Sequence, residues 1–198
     1  MNRSATVFLL LSLGVALGIV LPLVTPETDV QQTIEWLDNP RGLESFSLET
    51  EAGAFNNQSL MGRWTIVVFG FLHCPDICPT SMLQMATLAD RLAEEPIDEQ
   101  VAFAFVSVDP RRDSVEEISE YAEYFHSSIR GVTGREDQLA QFAGDLGIQF
   151  EVSPDEANYM VAHSITFSII DPEGIFRGRF RPGEDVPNLV RNFVSKLG

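Results

Sequence analysis

The chain has 198 residues, with 29 acidic against 13 basic side chains and a formal net charge of −16. So acidic a surface repels phosphate backbones and argues against nucleic acid as a partner. Once an apolar N-terminus is set aside, the length suits one domain of about 150–165 residues with a substantial core.

No charged residue occurs between Arg3 and Glu27. Residues 7–24 approach the roughly 20 apolar residues that cross a bilayer. The stretch is longer than the apolar region of a cleavable signal and ends at Thr25 and Pro26, a poor cleavage context. No cysteine follows it, which excludes lipoprotein processing. Residues 1–26 therefore read as one uncleaved transmembrane helix, with a cleaved signal as the alternative. Arg3 on one side and Glu27 and Asp29 on the other put the N-terminus in the cytoplasm and the domain beyond the membrane. The lead-in is too short for an Arg-rich transit peptide, so the sequence points to a bacterial inner membrane with the C-terminal domain in the periplasm.

Residues 27–42 are polar with scattered proline and read as a tether, with one short helix around 34–37. The folded domain then occupies residues 43–198. Phe46 and Leu48 precede a turn at Ala52 and Gly53, and Phe55 and Leu60 follow it, which suggests a β-hairpin. Residues 65–71 form a continuous apolar run of strand length. A helix is expected over residues 80–93, with Met82, Met85, Leu88, Ala89 and Leu92 at helical spacing. The two methionines are gap fillers in that stripe rather than a copper relay.

Residues 101–108 make a second buried strand, ending at Asp109 and Pro110. A charged helix over 114–125 follows, with Ser114 as N-cap and Glu117 at the capping-box position. Val132 begins a third strand-to-helix unit, whose helix over 135–146 is closed by Gly147. Residues 165–170 form a strand, 171–174 a turn, 175–180 a returning hairpin strand, and 186–197 the last helix. This alternation describes an α/β sandwich around a small mixed sheet.

The chain has two cysteines, Cys74 and Cys78. They sit where the first buried strand hands over to a helix. Three residues separate them, one more than in a thioredoxin-type redox pair. Pro79 follows Cys78, and a residue before proline avoids the helical region. The helix is thus expected to start at Pro79 with Cys78 as its N-cap, placing both sulfurs near the positive end of the dipole, where thiolate is stabilised. In an oxidising compartment such a pair oxidises unless it is kept reduced or metallated.

His163 stands just before the third core strand, at the sheet end where the cysteine loop also belongs. Two thiolates and one imidazole suit copper, with soft sulfur for Cu(I) and nitrogen extending the site to Cu(II). A closed zinc site wants four protein ligands, and three good ones are present. The plainer reading of the cysteines is a structural disulfide, although so short a loop stabilises little. For His163 alone it is a hydrogen-bonded loop-end residue. His73 is either a supporting group beside Cys74 or an exposed loop residue. His126 reads as a solvated or capping residue, Asp76 as solvated or screening the site, and Asp109 as a turn residue that could orient a ligand.

These residues resemble the Sco/SenC family of membrane-anchored copper proteins, which have a thioredoxin-like fold. The resemblance is carried by His73, Cys74, Pro75, Asp76, Ile77, Cys78 and Pro79, and by the run Val106, Ser107, Val108, Asp109, Pro110 and Arg111. It continues with Val132, Thr133 and Gly134, then His163 and Ser164, then Asp171, Pro172, Glu173 and Gly174. It implies a central mixed sheet flanked by helices, an N-terminal hairpin and copper binding by Cys74, Cys78 and His163. It also implies a part in assembling the binuclear copper site of cytochrome c oxidase, by delivering copper to the copper-accepting subunit or by reducing its cysteines. Many members carry an aspartate just before the histidine, where this chain has Ala162.

The rival reading is a membrane-anchored thiol–disulfide oxidoreductase or redox sensor, in which Cys74 and Cys78 are redox-active thiols. That class typically has a proline at the entry to the facing strand, and none lies between Pro154 and Pro172. A thiol peroxidase expects Thr or Ser three residues before its reactive cysteine. Phe71 and Pro75 stand there instead.

Overall fold

The computed structural model describes residues 33–75, 77–97, 100–152 and 161–197. In chain order these form strand β1 (Glu35–Gly42), the hairpin β2 (Ser47–Thr50) and β3 (Gly53–Asn56), and strand β4 (Trp64–Gly70). Helix α1 (Ile77–Ala93), strand β5 (Val101–Ser107), helix α2 (Val115–Phe125), strand β6 (Ile129–Val132) and helix α3 (Glu136–Asp145) follow. Then come a short pair, β7 (Phe150–Val152) and β8 (Val161–His163), strands β9 (Phe167–Ile170) and β10 (Ile175–Phe180), and helix α4 (Val186–Leu197).

The main sheet has six strands in the order β1-β10-β9-β4-β5-β6. β4, β5 and β6 are mutually parallel, whereas β9, β10 and β1 each run antiparallel to the neighbour before them. The central strands are apolar without alternation because both sheet faces are covered. Ile66, Val68, Phe103 and Phe105 point to one core with Met82, Met85 and Leu88 of α1, Ile118 of α2 and Phe193 of α4. Val67, Phe69, Ala104 and Val106 point to the other, with Phe46, Leu48 and Phe55 of the hairpin and Leu139 and Phe142 of α3.

Local signals in the chain are met closely. Ser114 caps α2: its hydroxyl accepts from the Glu117 amide at 3.2 Å, and the Glu117 carboxylate accepts from the Ser114 amide at 3.1 Å. Gly147 follows α3 with φ +70°, the left-handed conformation that ends a helix readily only at glycine.

The N-terminal boundary departs from expectation. Residues 35–42, read as tether with a short helix, form β1 and pair with β10. Trp36 draws this segment onto the domain, edge-on to Trp64 at 6.2 Å and stacked on Phe193 at 6.4 Å. A register shift between Trp36 and Arg41 accommodates Pro40, which an edge strand tolerates because one side of its ladder is unpaired. Among the described residues no helix is long and apolar enough to cross a membrane. The span expected over residues 7–24 lies outside the described residues.

Candidate metal and thiol site

The site grows from the C-terminal ends of the parallel strands. β4 ends at Gly70, whose carbonyl accepts from the Val108 amide at 2.9 Å and so ties together the exits of β4 and β5. The chain then turns through Phe71, Leu72 and His73, and the Cys74 amide donates to the Phe71 carbonyl at 3.3 Å. Both cysteines are buried and not joined as a disulfide, with Cys74 8% and Cys78 3% exposed. The Cys78 thiol is hydrogen-bonded with the Cys74 side chain and the Phe71 backbone. Gly70 makes room for this arrangement. A Cβ there would stand 3.0 Å from the Cys78 sulfur and 2.5 Å from the Phe105 ring.

Helix α1 begins at Ile77, two residues before the expected start at Pro79. Proline is accommodated because the first turn of a helix has no intrahelical use for its N–H groups. Cys78 is therefore inside the first turn and in the core rather than at a cap. Burial pushes its thiol up to about 12, the hydrogen bond with Cys74 adds to this, and the Phe71 backbone opposes it. Desolvation outweighs the helix dipole here, so the expected thiolate gives way to a protonated thiol in the metal-free protein.

His163 closes β8, opposite Phe150 of β7. The side chain of His163 lies outside the described residues, as does Asp76. The backbone places β8 at the cysteine end of the sheet: Phe167, which opens β9, pairs with Val68 near the exit of β4. Val161 of β8 packs directly against the buried cluster of Phe71, Cys74 and Cys78. Among the described residues no group of three or more His, Cys, Asp or Glu side chains converges to hold a metal ion.

The other titratable candidates separate clearly. Asp109 is buried and paired with the Arg112 guanidinium at 2.5 Å, so it serves the turn after β5. His126 caps the far end of α2 and contacts Asp90 at 3.2 Å, away from the cysteines. His73 is an exposed loop residue whose ring nitrogen lies 3.7 Å from Asp113.

Two neighbours were not singled out by the sequence. Asp113 is buried, and one carboxylate oxygen accepts from the Leu72 amide at 2.9 Å and the Ser107 hydroxyl at 2.6 Å. Burial raises its pKa, against the effect of those hydrogen bonds. Tyr121 of α2 has its phenol pushed up to about 12, first by burial and then by the charges of Cys78 and Cys74. The available signal for Asp113 was its position: a second carboxylate in the loop that leaves a core strand beside the cysteine loop.

A mixed sheet with helices on both faces and a dithiol where a central strand enters a helix defines an α/β thioredoxin-like protein. The SCO1/SenC family model matches residues 20–197, and the chain belongs to that family. It is 34% identical over 155 residues to a mitochondrial SCO1 homologue of Arabidopsis thaliana, covering 77% of this chain and 46% of that protein. A putative copper-binding protein of Stutzerimonas stutzeri is 35% identical over 138 residues, 69% of this chain and 67% of that one. The crystal structure of Arabidopsis thaliana ScoI with copper bound superposes with a TM-score of 0.70 at 34% identity, covering 78% of this chain and 96% of that chain. The chain spans about half the length of the mitochondrial relatives it matches.

Proposed function

We propose that this protein is a copper metallochaperone in which the sulfurs of Cys74 and Cys78 and the imidazole of His163 hold copper as cargo. Two soft thiolates suit Cu(I), and a nitrogen ligand extends the site to Cu(II). The observation that carries this reading is the packing of Val161 on the Phe71, Cys74 and Cys78 cluster. Strand positions alternate between faces, so position 163 shares a face of β8 with position 161. A relative solved with copper bound adds support. The acceptor in this reading is the binuclear copper site of cytochrome c oxidase. The protein is held at a bacterial inner membrane by a helix over residues 7–24, with its domain in the periplasm.

The protonated state of Cys78 favours delivery. A thiol pushed up to about 12 has little thiolate at neutral pH and exchanges slowly with disulfides, whereas copper displaces the proton when it binds. The reductase reading is supported by the hydrogen bond between the two thiols. Joining them as a disulfide would surrender two electrons and two protons to an oxidised target.

Titration of the reduced, metal-free domain should show one copper per chain, with sulfur-to-copper absorption in the Cu(II) form. His163→Ala should weaken Cu(II) binding more than Cu(I) binding, on the order of tenfold or more for Cu(II). Unchanged absorption and affinity in that variant would remove His163 from the site.

A further inference from the structure

Two carboxylates are buried in the loop between β5 and α2, and they are neutralised differently. Asp109 has the Arg112 guanidinium at 2.5 Å. Among the described residues Asp113 has His73 as its one positive partner, 3.7 Å away and charged only when protonated. One Asp113 oxygen accepts from Leu72 and Ser107, while the other is buried and, among the described residues, has no hydrogen-bond partner. An uncompensated buried carboxylate is costly and persists where something else uses its charge. Asp113 lies close enough for its charge to be felt at the Cys78 thiol, where it opposes the thiolate. The Leu72 amide that it holds belongs to the residue two before Cys74.

We propose that Asp113 is a positioning residue of the cysteine site: one oxygen pins the loop at Leu72, and the other sets a negative charge beside the dithiol that favours cargo Cu(II) over Cu(I). The pin fixes where the chain leaves the β4 exit, and so where the Cys74 sulfur is presented. Two thiolates leave a net negative complex with Cu(I) and a neutral one with Cu(II), so the Asp113 charge opposes the first more than the second without Asp113 being a ligand. This assignment rests on the copper reading above for its second half and is independent of it for the first.

The two halves separate in the full-length chain with Asp113→Asn, which keeps a carbonyl acceptor and removes the charge, and Asp113→Ala, which removes both. In the reduced, metal-free protein, hydrogen exchange at the Leu72 amide should stay within about twofold in Asp113→Asn and quicken roughly tenfold in Asp113→Ala. In competition with a chromophoric chelator, Asp113→Asn should gain Cu(I) affinity about tenfold relative to its Cu(II) affinity, compared with the parent. Equal Leu72 protection in Asp113→Ala and the parent overturns the pin. An unchanged ratio of Cu(I) to Cu(II) affinity in Asp113→Asn overturns the charge role. If the parent itself takes up no Cu(I), the copper reading and the charge role fall together, while the metal-free exchange still decides the pin.

Discussion

Cys78 is subject to two opposed influences. The first turn of α1 favours a thiolate by about 0.3–1 kcal/mol in exposed settings. Burial works the other way, and each unit of pKa shift corresponds to about 1.4 kcal/mol. With the thiol raised from 9.0 to about 12, burial prevails. Below pH 9 the thiol is protonated whether the chain is folded or unfolded. Above it, the unfolded chain gives up a proton that the folded chain retains, so stability falls as pH rises toward 12. Urea denaturation of the reduced, metal-free protein should therefore show stability falling between about pH 9 and 12. Cys78→Ser should flatten this slope, leaving the part due to Tyr121, whose phenol is also raised to about 12. Parallel profiles for the two proteins would contradict the burial argument. Gly70 is the second residue on which the site depends. Gly70→Ala sets a methyl group against the Phe105 ring and the Cys78 sulfur, an overpacking expected to cost about 1–3 kcal/mol in the same denaturation measurement.

Secondary structure followed its local signals at most positions where the determining residues were neighbours, the start of α1 at Ile77 rather than Pro79 being an exception. The cap of α2 needs only Ser114 and Glu117, three residues apart, and both hydrogen bonds form as the pattern implies. The returning strand β10 and helix α4 have the expected bounds because a turn at residues 171–174 and a polar run before Val186 delimit them. β1 has no comparable local signature. Its partner is β10, where Glu35 faces Arg179 across the ladder. The Trp36 ring meets Trp64 and Phe193, residues remote from it in the chain. A chain beginning at Leu43 should therefore unfold at lower urea than one beginning at Thr33, by about 3 kcal/mol or more for the lost tryptophan packing alone. Equal midpoints would make β1 an ornament of the sheet.

For the whole molecule, the acidic surface and the apolar N-terminus bear on where the protein works. Arg3 precedes the apolar stretch, and Glu27 and Asp29 follow it, the distribution on which the proposed orientation, with the N-terminus in the cytoplasm, rests. A reporter fused after Gly198 should be active only if it functions outside the cytoplasm. Activity of a reporter that works only inside would reverse the orientation.

The residues close to one another in the chain announced the dithiol, the strand that feeds it, the helix that follows it and the family pattern around them, because strand runs, caps and cysteine spacing are local. Long-range packing settled the rest. The approach of β8 to the cysteines is made by Val161 touching a cluster more than eighty residues earlier. The state of Cys78 depends on how deeply α1 is buried, and burial is a property of the assembled core rather than of the motif. Asp113 became visible only when folding joined the β5 exit to the cysteine loop, since no spacing in the chain records a hydrogen bond across 41 residues.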